Sequence, residues 1–201
     1  MSIADRVRIL GVETLSDDHY ILRKTLFEYR RNDGTWQRQS RESYDRGNGA
    51  AILLHDPERG TVVLTRQFRF PAFANGHDDL LIEVPAGLLD DASPEDRIRA
   101  EVEEETGFRV TEVTRVFQAF TSPGSVTEVL HCFTGRYSPA DRVGQGGGHP
   151  GEGEDIEVLE PTLNEALAMV ADGRIRDAKT IMLLQYAALH LAPRGEADRG
   201  K

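Results

Sequence analysis

The chain has 201 residues, the length of one ordinary domain with a small appendage, and 39% of them are hydrophobic, which is enough for one core. Its formal net charge of −10 argues against bulk binding to nucleic acid or to anionic membranes. No apolar run approaches the ~20 residues of a membrane span, and residues 1–12 lack the apolar core of a signal peptide.

Residues 1–45 are predicted to form a β-hairpin extension. The stretches 7–14 and 19–31 roughly alternate between apolar and polar residues, and Asp33-Gly34 is typical of a type I′ turn before a returning strand at 37–44. Both faces of this hairpin are largely polar, and a free-standing hairpin is marginally stable in water. We therefore expect it to pack against its own domain or against a partner chain.

The main domain is predicted to span residues 46–192 and to open with strands at 50–54 and 61–65. The second strand continues into the sequence RQFRF. In an acidic chain, Arg66 and Arg69 are candidates for phosphate contacts as well as for surface ion pairs. Residues 71–79 are predicted to be a loop, and 81–84 a buried strand that Pro85 closes.

The best-marked element is a helix over residues 94–106. Ser93 is a favourable N-cap, and Pro94 falls at the first helical position, where its missing N–H costs nothing. Gly107 is expected to end the helix. Ile98 and Val102 lie four residues apart and give the helix a narrow apolar face.

The charges of this helix run against its macrodipole. Four glutamates, at 101, 103, 104 and 105, gather at the C-terminal end, where basic residues are favoured by roughly 0.3–1 kcal/mol each. Glu101 also repels Glu104 and Glu105 at i+3 and i+4, and Arg97 can pair with it only in the weaker orientation. A hard divalent cation, Mg²⁺ or Mn²⁺, among these carboxylates would explain the arrangement, and the alternative is an ordinary charged surface helix.

The second half of the main domain is predicted to contain strands at 109–120 and 126–137, with Glu128 at the mouth of the second. Cys132 lies in an apolar run, and as the single cysteine it rules out an intrachain disulfide and fits a reducing, cytoplasmic location. The stretch 138–155 is a long loop rich in glycine and acidic residues, including Glu152 and Glu154. A short strand at 156–159 and helices at 163–171 and from about 177 to 191 follow, and 193–201 is predicted to be a flexible tail.

The central stretch resembles the Nudix box, G-x5-E-x7-R-E-U-x-E-E-x-G-U, in which U is an aliphatic or aromatic residue. The fixed positions that match are Gly87, Glu101, Val102, Glu104, Glu105, Gly107 and Phe108. Three departures are visible: the spacing between Gly87 and Glu101 is one residue short, Ser93 stands where the family has Glu, and Ala100 stands where it has Arg. A motif of this length rarely arises by chance, so the resemblance is specific.

Within the Nudix hydrolases the chain is similar to the bacterial GDP-mannose hydrolases from about residue 15 to residue 186. The segments that carry this similarity are SRESYDRGNGA, RQFR, AGLLDD, SPGSVTE, EDIEVLE and IRDAKT. The resemblance implies an α+β fold, the Nudix α/β/α sandwich with a mixed sheet, and a homodimer joined through the N-terminal region. It also implies metal-dependent hydrolysis of a nucleotide sugar, most simply GDP-mannose to GMP and mannose 1-phosphate, with Mg²⁺ or Mn²⁺ as the cofactor.

The resemblance also assigns site residues. The metal ligands would be the backbone carbonyl of Ala86 and the side chains of Glu101, Glu105 and Glu154. The catalytic base would be Glu154, with Glu152 as its nearest rival because two extra residues near His149-Pro150 could shift the register. Glu104 and Glu128 are the next candidates. The nucleotide sugar would contact Arg41, Glu42, Arg69, Gly87, Leu88, Glu128 and Lys179.

Two other functions remain open at this point. An ADP-ribose or ADP-sugar pyrophosphatase shares the same general plan, because sequence alone does not separate guanine from adenine recognition. A Nudix-fold sensor that binds a nucleotide sugar without cleaving it is the alternative outside the enzymes. The intact acidic residues Glu101, Glu104 and Glu105 argue against such a sensor, because a protein that only binds needs no such cluster.

Overall fold

The computed structural model of the protein describes residues 2–191, apart from the side chain of Glu152. The predicted tail at 193–201 lies outside the described residues. By its internal contacts the chain divides into an N-terminal unit, Met1–Asn48 with Phe120–Val129, and a sandwich unit, Gly49–Ala119 with Leu130–Lys201. The domain bounds taken from the sequence, 1–45 and 46–192, stay a prediction.

The N-terminal unit is built on an antiparallel sheet in the order β1-β2-β3, formed by β1 (Val7–Asp17), β2 (Ile21–Arg30) and β3 (Trp36–Asp45). Gly34 takes a left-handed conformation (φ +87°) in the turn between β2 and β3, but Asp33 does not, so the turn is not the predicted type I′ turn, which needs a positive φ at both residues. The segment Phe120–Val129 is tied to β3 by backbone hydrogen bonds from Tyr44 N–H to the Ser125 carbonyl (2.8 Å) and from Thr127 N–H to the Tyr44 carbonyl (3.1 Å).

The sandwich unit contains the predicted mixed sheet. The strands are β4 (Gly49–Asp56), β5 (Thr61–Gln67), β6 (Leu81–Glu83), β7 (Ala86–Leu88), β8 (Val113–Ala119), β9 (Leu130–Arg136) and β10 (Glu157–Leu159). The central strand β4 is parallel to β9 and antiparallel to β5 and β7. Strand β8 pairs with the other edge of β9, and β10 and β6 pair with β5.

Helices cover both faces of this sheet. They are α2 (Pro94–Thr106), α3 (Leu163–Ala171) and α4 (Ala178–His190), whereas the short helix α1 (Phe70–Ala74) has no buried residue. Alternate residues of β4 point to opposite faces, so Ile52 packs with Val102 of α2 while Leu53 packs with Leu184 of α4. A strand that is buried on both faces has a nearly continuous run of apolar residues in its sequence, and β4 has one. Within the described residues, no helix has both the length and the hydropathy needed to span a membrane.

The structure corrects three of the predicted elements. The predicted loop at 71–79 begins inside α1, which carries Pro71 in its first turn, a position that suits proline. The strand predicted to start at 126 starts at Leu130, because Thr127 and its neighbours pair with β3 instead. The strand predicted at 109–120 is shorter, and β7 was not predicted because three residues between Pro85 and a loop carry too little pattern.

Candidate active site

The acidic cluster is positioned by both ends of α2. The Ser93 hydroxyl accepts a hydrogen bond from Asp96 N–H (3.1 Å), which confirms the N-cap. At the other end, Gly107 is left-handed (φ +73°), and a Cβ there would lie 2.3 Å from the Gly144 carbonyl oxygen. Both the backbone conformation and the nearby carbonyl therefore require glycine at this position. Gly107 fixes where α2 ends and where the following chain turns away.

Glu101 and Glu105 are buried, with 5% and 2% of their surfaces exposed. Burial, with Glu104 and Glu154 adding to it against the opposing charge of Arg97, raises the pKa of Glu101 to about 7. Burial and the charges of Glu101 and Glu154 raise the pKa of Glu105 well above its usual value. Negative charge held in such a place is unfavourable by itself, so these carboxylates are stabilised either by a proton or by a cation close to them.

The turn at Ala86 and Gly87 in β7 packs against the carboxylates of Glu101 and Glu105. A Cβ at Gly87 would lie only 1.6 Å from Oε1 of Glu101, so any other residue at this position would displace the Glu101 carboxylate. Ala86 N–H donates to Oε2 of Glu105 (3.3 Å), which places the backbone of Ala86 beside that carboxylate. Because β7 pairs with β4 at Ala86, Gly87 and Leu88, this part of the backbone is held by the central strand.

The glycine-rich loop docks on the C-terminal end of α2. Gly147 N–H donates to the Glu105 carbonyl (2.9 Å), and Gly148 N–H donates to the Glu104 carbonyl (3.1 Å). These carbonyls are among those that a helix leaves unsatisfied at its end. A Cβ at Gly148 would meet Oε2 of Glu154 at 2.4 Å, so the loop brings Glu154 close to its own backbone.

The candidate bases therefore differ in what surrounds them. Oε2 of Glu154 accepts a hydrogen bond from His149 N–H (2.8 Å), and its charge acts on both Glu101 and Glu105. Glu104 is half-buried and lies 3.7 Å from Nε2 of His149. Glu152 ends a short 3-10 turn, and its side chain lies outside the described part of the chain.

The donor set fits a hard divalent cation. It consists of carboxylate oxygens with raised pKa values beside a backbone turn, and oxygen is the ligand that Mg²⁺ and Mn²⁺ prefer. Within the described residues, no three side chains of His, Cys, Asp or Glu are already grouped so that they could hold a metal ion. Glu101 and Glu105 are the two buried carboxylates at this position, and Glu154 is turned toward His149.

A second group of charges, not foreseen from the sequence, lies at Glu83. Arg69 donates from Nε to Oε2 of Glu83 (2.7 Å), and Lys179 donates from Nζ to Oε1 (2.5 Å). Asp177 lies 3.0 Å from the same Nζ. The signal was present, because Glu83 is a charged residue inside the apolar run of β6 and 3% of its surface is exposed.

Glu83 and Glu105 show opposite effects of burial. Burial alone would raise the pKa of Glu83, but Lys179 and Arg69 outweigh it, so the pKa lies below the ordinary value. The pKa of Lys179 is raised by Glu83 and Asp177 in spite of its burial. Arg69 and Lys179, which the resemblance assigns to the substrate, are therefore held in place as charged groups before any substrate arrives.

The other predicted substrate residues lie in the N-terminal unit. Arg41 and Glu42 line a cavity of about 580 Å³ whose other walls come from Phe120 and the turn at 123–127. Arg41 donates from Nη1 to the carbonyl of Ser40 (2.8 Å) and is exposed. Glu128 lies 3.7 Å from Arg46 and is largely buried. The structure thus places Arg41 and Glu42 at the same cavity, whereas Glu128 pairs with Arg46 elsewhere in the same unit.

Comparisons with known proteins agree with the resemblance. A family model described as NUDIX domain matches residues 45–184, and one described as GDP-mannose pyrophosphatase NudK N-terminal domain matches residues 6–44. Similar proteins named GDP-mannose pyrophosphatase include that of Pectobacterium atrosepticum, 52% identical over 91% of this chain and 94% of its own length. The protein of that name from Klebsiella pneumoniae is 48% identical over 96% of this chain and 97% of its own length. A crystal structure of an ADP compounds hydrolase superposes with a TM-score of 0.69 at 18% identity and shows the same fold. The superposition covers 92% of this chain and 94% of the other.

The Glu83 group leads to a prediction about stability and pH. Replacing Glu83 with Gln leaves Arg69 and Lys179 without their shared partner, so we expect a loss of roughly 3–5 kcal/mol in the free energy of unfolding at pH 7. Because the folded-state pKa of Glu83 is lowered, its contribution is present above the ordinary value of 4.5 and is lost as the pH falls through the folded-state value. The deficit of E83Q should therefore shrink toward acid pH, which urea unfolding at several pH values measures.

Asp79 supplies the matched control. It pairs with Arg66 at 2.8 Å, but its side chain is 63% exposed, so D79N should change the unfolding free energy by at most about 1 kcal/mol. A deficit for E83Q that is no larger than that of D79N at pH 7 would contradict the role given to Glu83.

Proposed function

Because the chain belongs to the Nudix family of hydrolases, we propose that it hydrolyses the diphosphate bond of GDP-mannose, giving GMP and mannose 1-phosphate. The observation that carries the proposal is the pair of buried carboxylates, Glu101 and Glu105, packed against the Gly87 turn of the family motif. The choice of GDP-mannose draws support from relatives of that name, which are about half identical over nearly the whole chain.

Nudix hydrolases work with divalent metal ions, and we propose Mg²⁺ here, with Mn²⁺ as a second possibility. Glu101, Glu105, the Ala86 carbonyl and Glu154 would hold it. When bound, such a cation neutralises diphosphate oxygens and lowers the pKa of a bound water. The raised pKa values of Glu101 and Glu105 mean that both carboxylates gain from a cation at this position.

The protein's own groups then divide the work. Glu154 would take the proton from the attacking water, because its charge already acts on both buried carboxylates and its carboxylate is held by a single backbone hydrogen bond. Water adds to one phosphorus atom, the bond from that phosphorus to the bridging oxygen breaks, and the two phosphate products separate. Arg69 and Lys179, fixed by Glu83, would orient the diphosphate.

The remaining contacts are proposed for the sugar nucleotide. Gly87 and Leu88 would approach it through the backbone of β7, since Gly87 has no Cβ in the way. Arg41, Glu42 and Glu128 of the N-terminal unit are proposed to contact it as well. In a dimer, Arg41 and Glu42 would serve the partner subunit's site.

We propose that the chain forms a homodimer through β1. This strand is exposed along nearly its whole length, although it carries Ile9, Leu10, Val12 and Leu15. Exposed apolar residues on an edge strand invite pairing with another chain. Nucleic acid and membranes are not proposed as partners, since the net charge of −10 opposes both. A cytoplasmic location is proposed because Cys132 is a free thiol.

A hydrolysis panel tests the function. With Mg²⁺, we expect kcat/KM to be highest for GDP-mannose among GDP-mannose, ADP-ribose and other nucleotide sugars, with GMP and mannose 1-phosphate formed in equal amounts. E105Q keeps the shape of a proposed metal ligand and should lose about 10²-fold or more, because changes around a metal ligand already cost about 10–100-fold. Absence of hydrolysis would refute the proposal, and a preference for ADP-ribose would favour the ADP-sugar alternative.

The catalytic base can be identified by comparing two glutamines. General-base catalysis contributes about 10²–10⁴-fold, so E154Q should lower kcat by that factor and leave KM nearly unchanged. E152Q, two residues earlier in the same loop, is the matched control and should be much milder. If E152Q is the impaired variant, the register of the loop is shifted. If neither is impaired, the base is neither of them, and E104Q is the next variant to measure.

The dimer can be tested by placing charge on β1. The double variant with Leu10→Asp and Val12→Asp changes two exposed residues, so it should fold, and it should shift the protein from dimer to monomer in sedimentation equilibrium. Leu189→Asp makes the same type of change at an exposed position of α4 and should leave the dimer intact. A monomeric parent protein, or a double variant that still dimerises, would rule out this interface.

A further inference from the structure

Within the described part of the chain, Arg97 is the cation that forms an ion pair with Glu101. It lies on α2 one turn before Glu101, and its Nη2 forms an ion pair with Oε1 of Glu101. Its side chain is 28% exposed, whereas the Glu101 side chain is almost fully buried. The Nε atom of Arg97 is also buried, and within the described residues it has no hydrogen-bond partner.

The surroundings of Glu101 explain why this contact matters. The negative charges of Glu104 and Glu154 also act on Glu101. Arg69, the cation that acts on Glu105, is already hydrogen-bonded to Glu83. Ala100, which stands where the Nudix pattern has Arg, brings no charge. Arg97 therefore carries the positive charge that offsets Glu101 within the described part of the chain.

The same carboxylate oxygen is enclosed on a second side. Oε1 of Glu101 lies where a Cβ on Gly87 would be, so the carboxylate sits between the β7 turn and the Arg97 guanidinium. A divalent cation held by Glu101 would bring two positive charges next to a third. Two cations within a few ångströms of each other in a poorly solvated place repel strongly. Both therefore compete for Glu101.

We propose that Arg97 is the built-in counter-ion of the metal site: it is paired with Glu101 while the metal is absent and is displaced when the metal binds, so it sets the affinity for Mg²⁺. The inference rests on the metal site of the proposed function. The unpartnered Nε fits it, because the guanidinium is bound to a single carboxylate and can leave by breaking one ion pair.

The proposal fixes the signs of two measurements. An interaction that exists only in the metal-free protein stabilises that state and weakens metal binding by the same free energy. Arg97→Met keeps the apolar stem and removes the charge. We expect its metal-free form to melt about 2–4 °C lower than the parent, and its Kd for Mg²⁺, measured by calorimetry, to be about fivefold lower.

Two variants act as controls. Arg97→Lys keeps a positive charge and should stay closer to the parent than Arg97→Met in both measurements. Arg99 lies on the same helix, pairs with the exposed Asp96 at 3.1 Å and donates from Nε to the Thr111 carbonyl at 3.0 Å, none of which involves Glu101. Arg99→Met should therefore leave the Mg²⁺ affinity unchanged.

Each other outcome overturns the proposal in a distinct way. If Arg97→Met binds Mg²⁺ as weakly as the parent or more weakly, Arg97 does not compete with the metal for Glu101. It then either orients Glu101 for the metal or has no effect on metal binding. If its metal-free melting temperature does not fall below that of the parent, the ion pair does not stabilise the metal-free protein. If the parent protein binds no Mg²⁺ at all, the metal site itself fails, and this inference fails with it.

Discussion

The packing of Glu101 and Glu105 between α2 and the Gly87 turn is the constraint on which the rest of the structure depends. Burying a carboxylate without a full partner costs several kcal/mol, and here two lie side by side. The opposing contribution comes from the same helix: Ile98 and Val102 are fully buried against the sheet, and each such side chain contributes about 1.5–3 kcal/mol. The apolar face of α2 therefore holds its acidic face in an unfavourable place.

Two buried glutamates with opposite pKa shifts divide the sandwich-unit site into parts with different tasks. Glu105 has Ala86 N–H as its hydrogen-bond donor and like charges nearby, so it is left in need of a cation. Glu83 has Lys179 and Arg69 in direct contact, so its charge is neutralised and theirs is fixed. The residue type and the degree of burial are nearly the same. The number of cations within hydrogen-bond distance decides whether a carboxylate becomes an open ligand or a support for its neighbours.

How much the sequence predicts follows from how local each contact is. The start and end of α2 were predicted because Ser93, Pro94 and Gly107 act on their own backbone. The mixed sheet between helices followed from the family resemblance, and the structure and the comparisons confirm it, whereas the order of its strands was not predicted. The contact of Glu83 with Lys179 joins residues 96 positions apart, and no local pattern reports it. The docking of Gly147 and Gly148 on α2 was also missed, because glycines in a loop indicate only that the backbone is free to turn.

The departures from the Nudix box make sense when the box is considered as a balance of charge and backbone geometry. Ser93 gives up the family's acidic side chain but keeps the capping oxygen that begins α2. Ala100 carries no charge, and the cation paired with Glu101 is Arg97, one turn earlier in α2. Despite the short spacing Gly87 still meets Glu101, because a Cβ at Gly87 would lie where the Glu101 carboxylate is. The contact between the glycine turn and the buried carboxylate is thus kept in spite of the three departures.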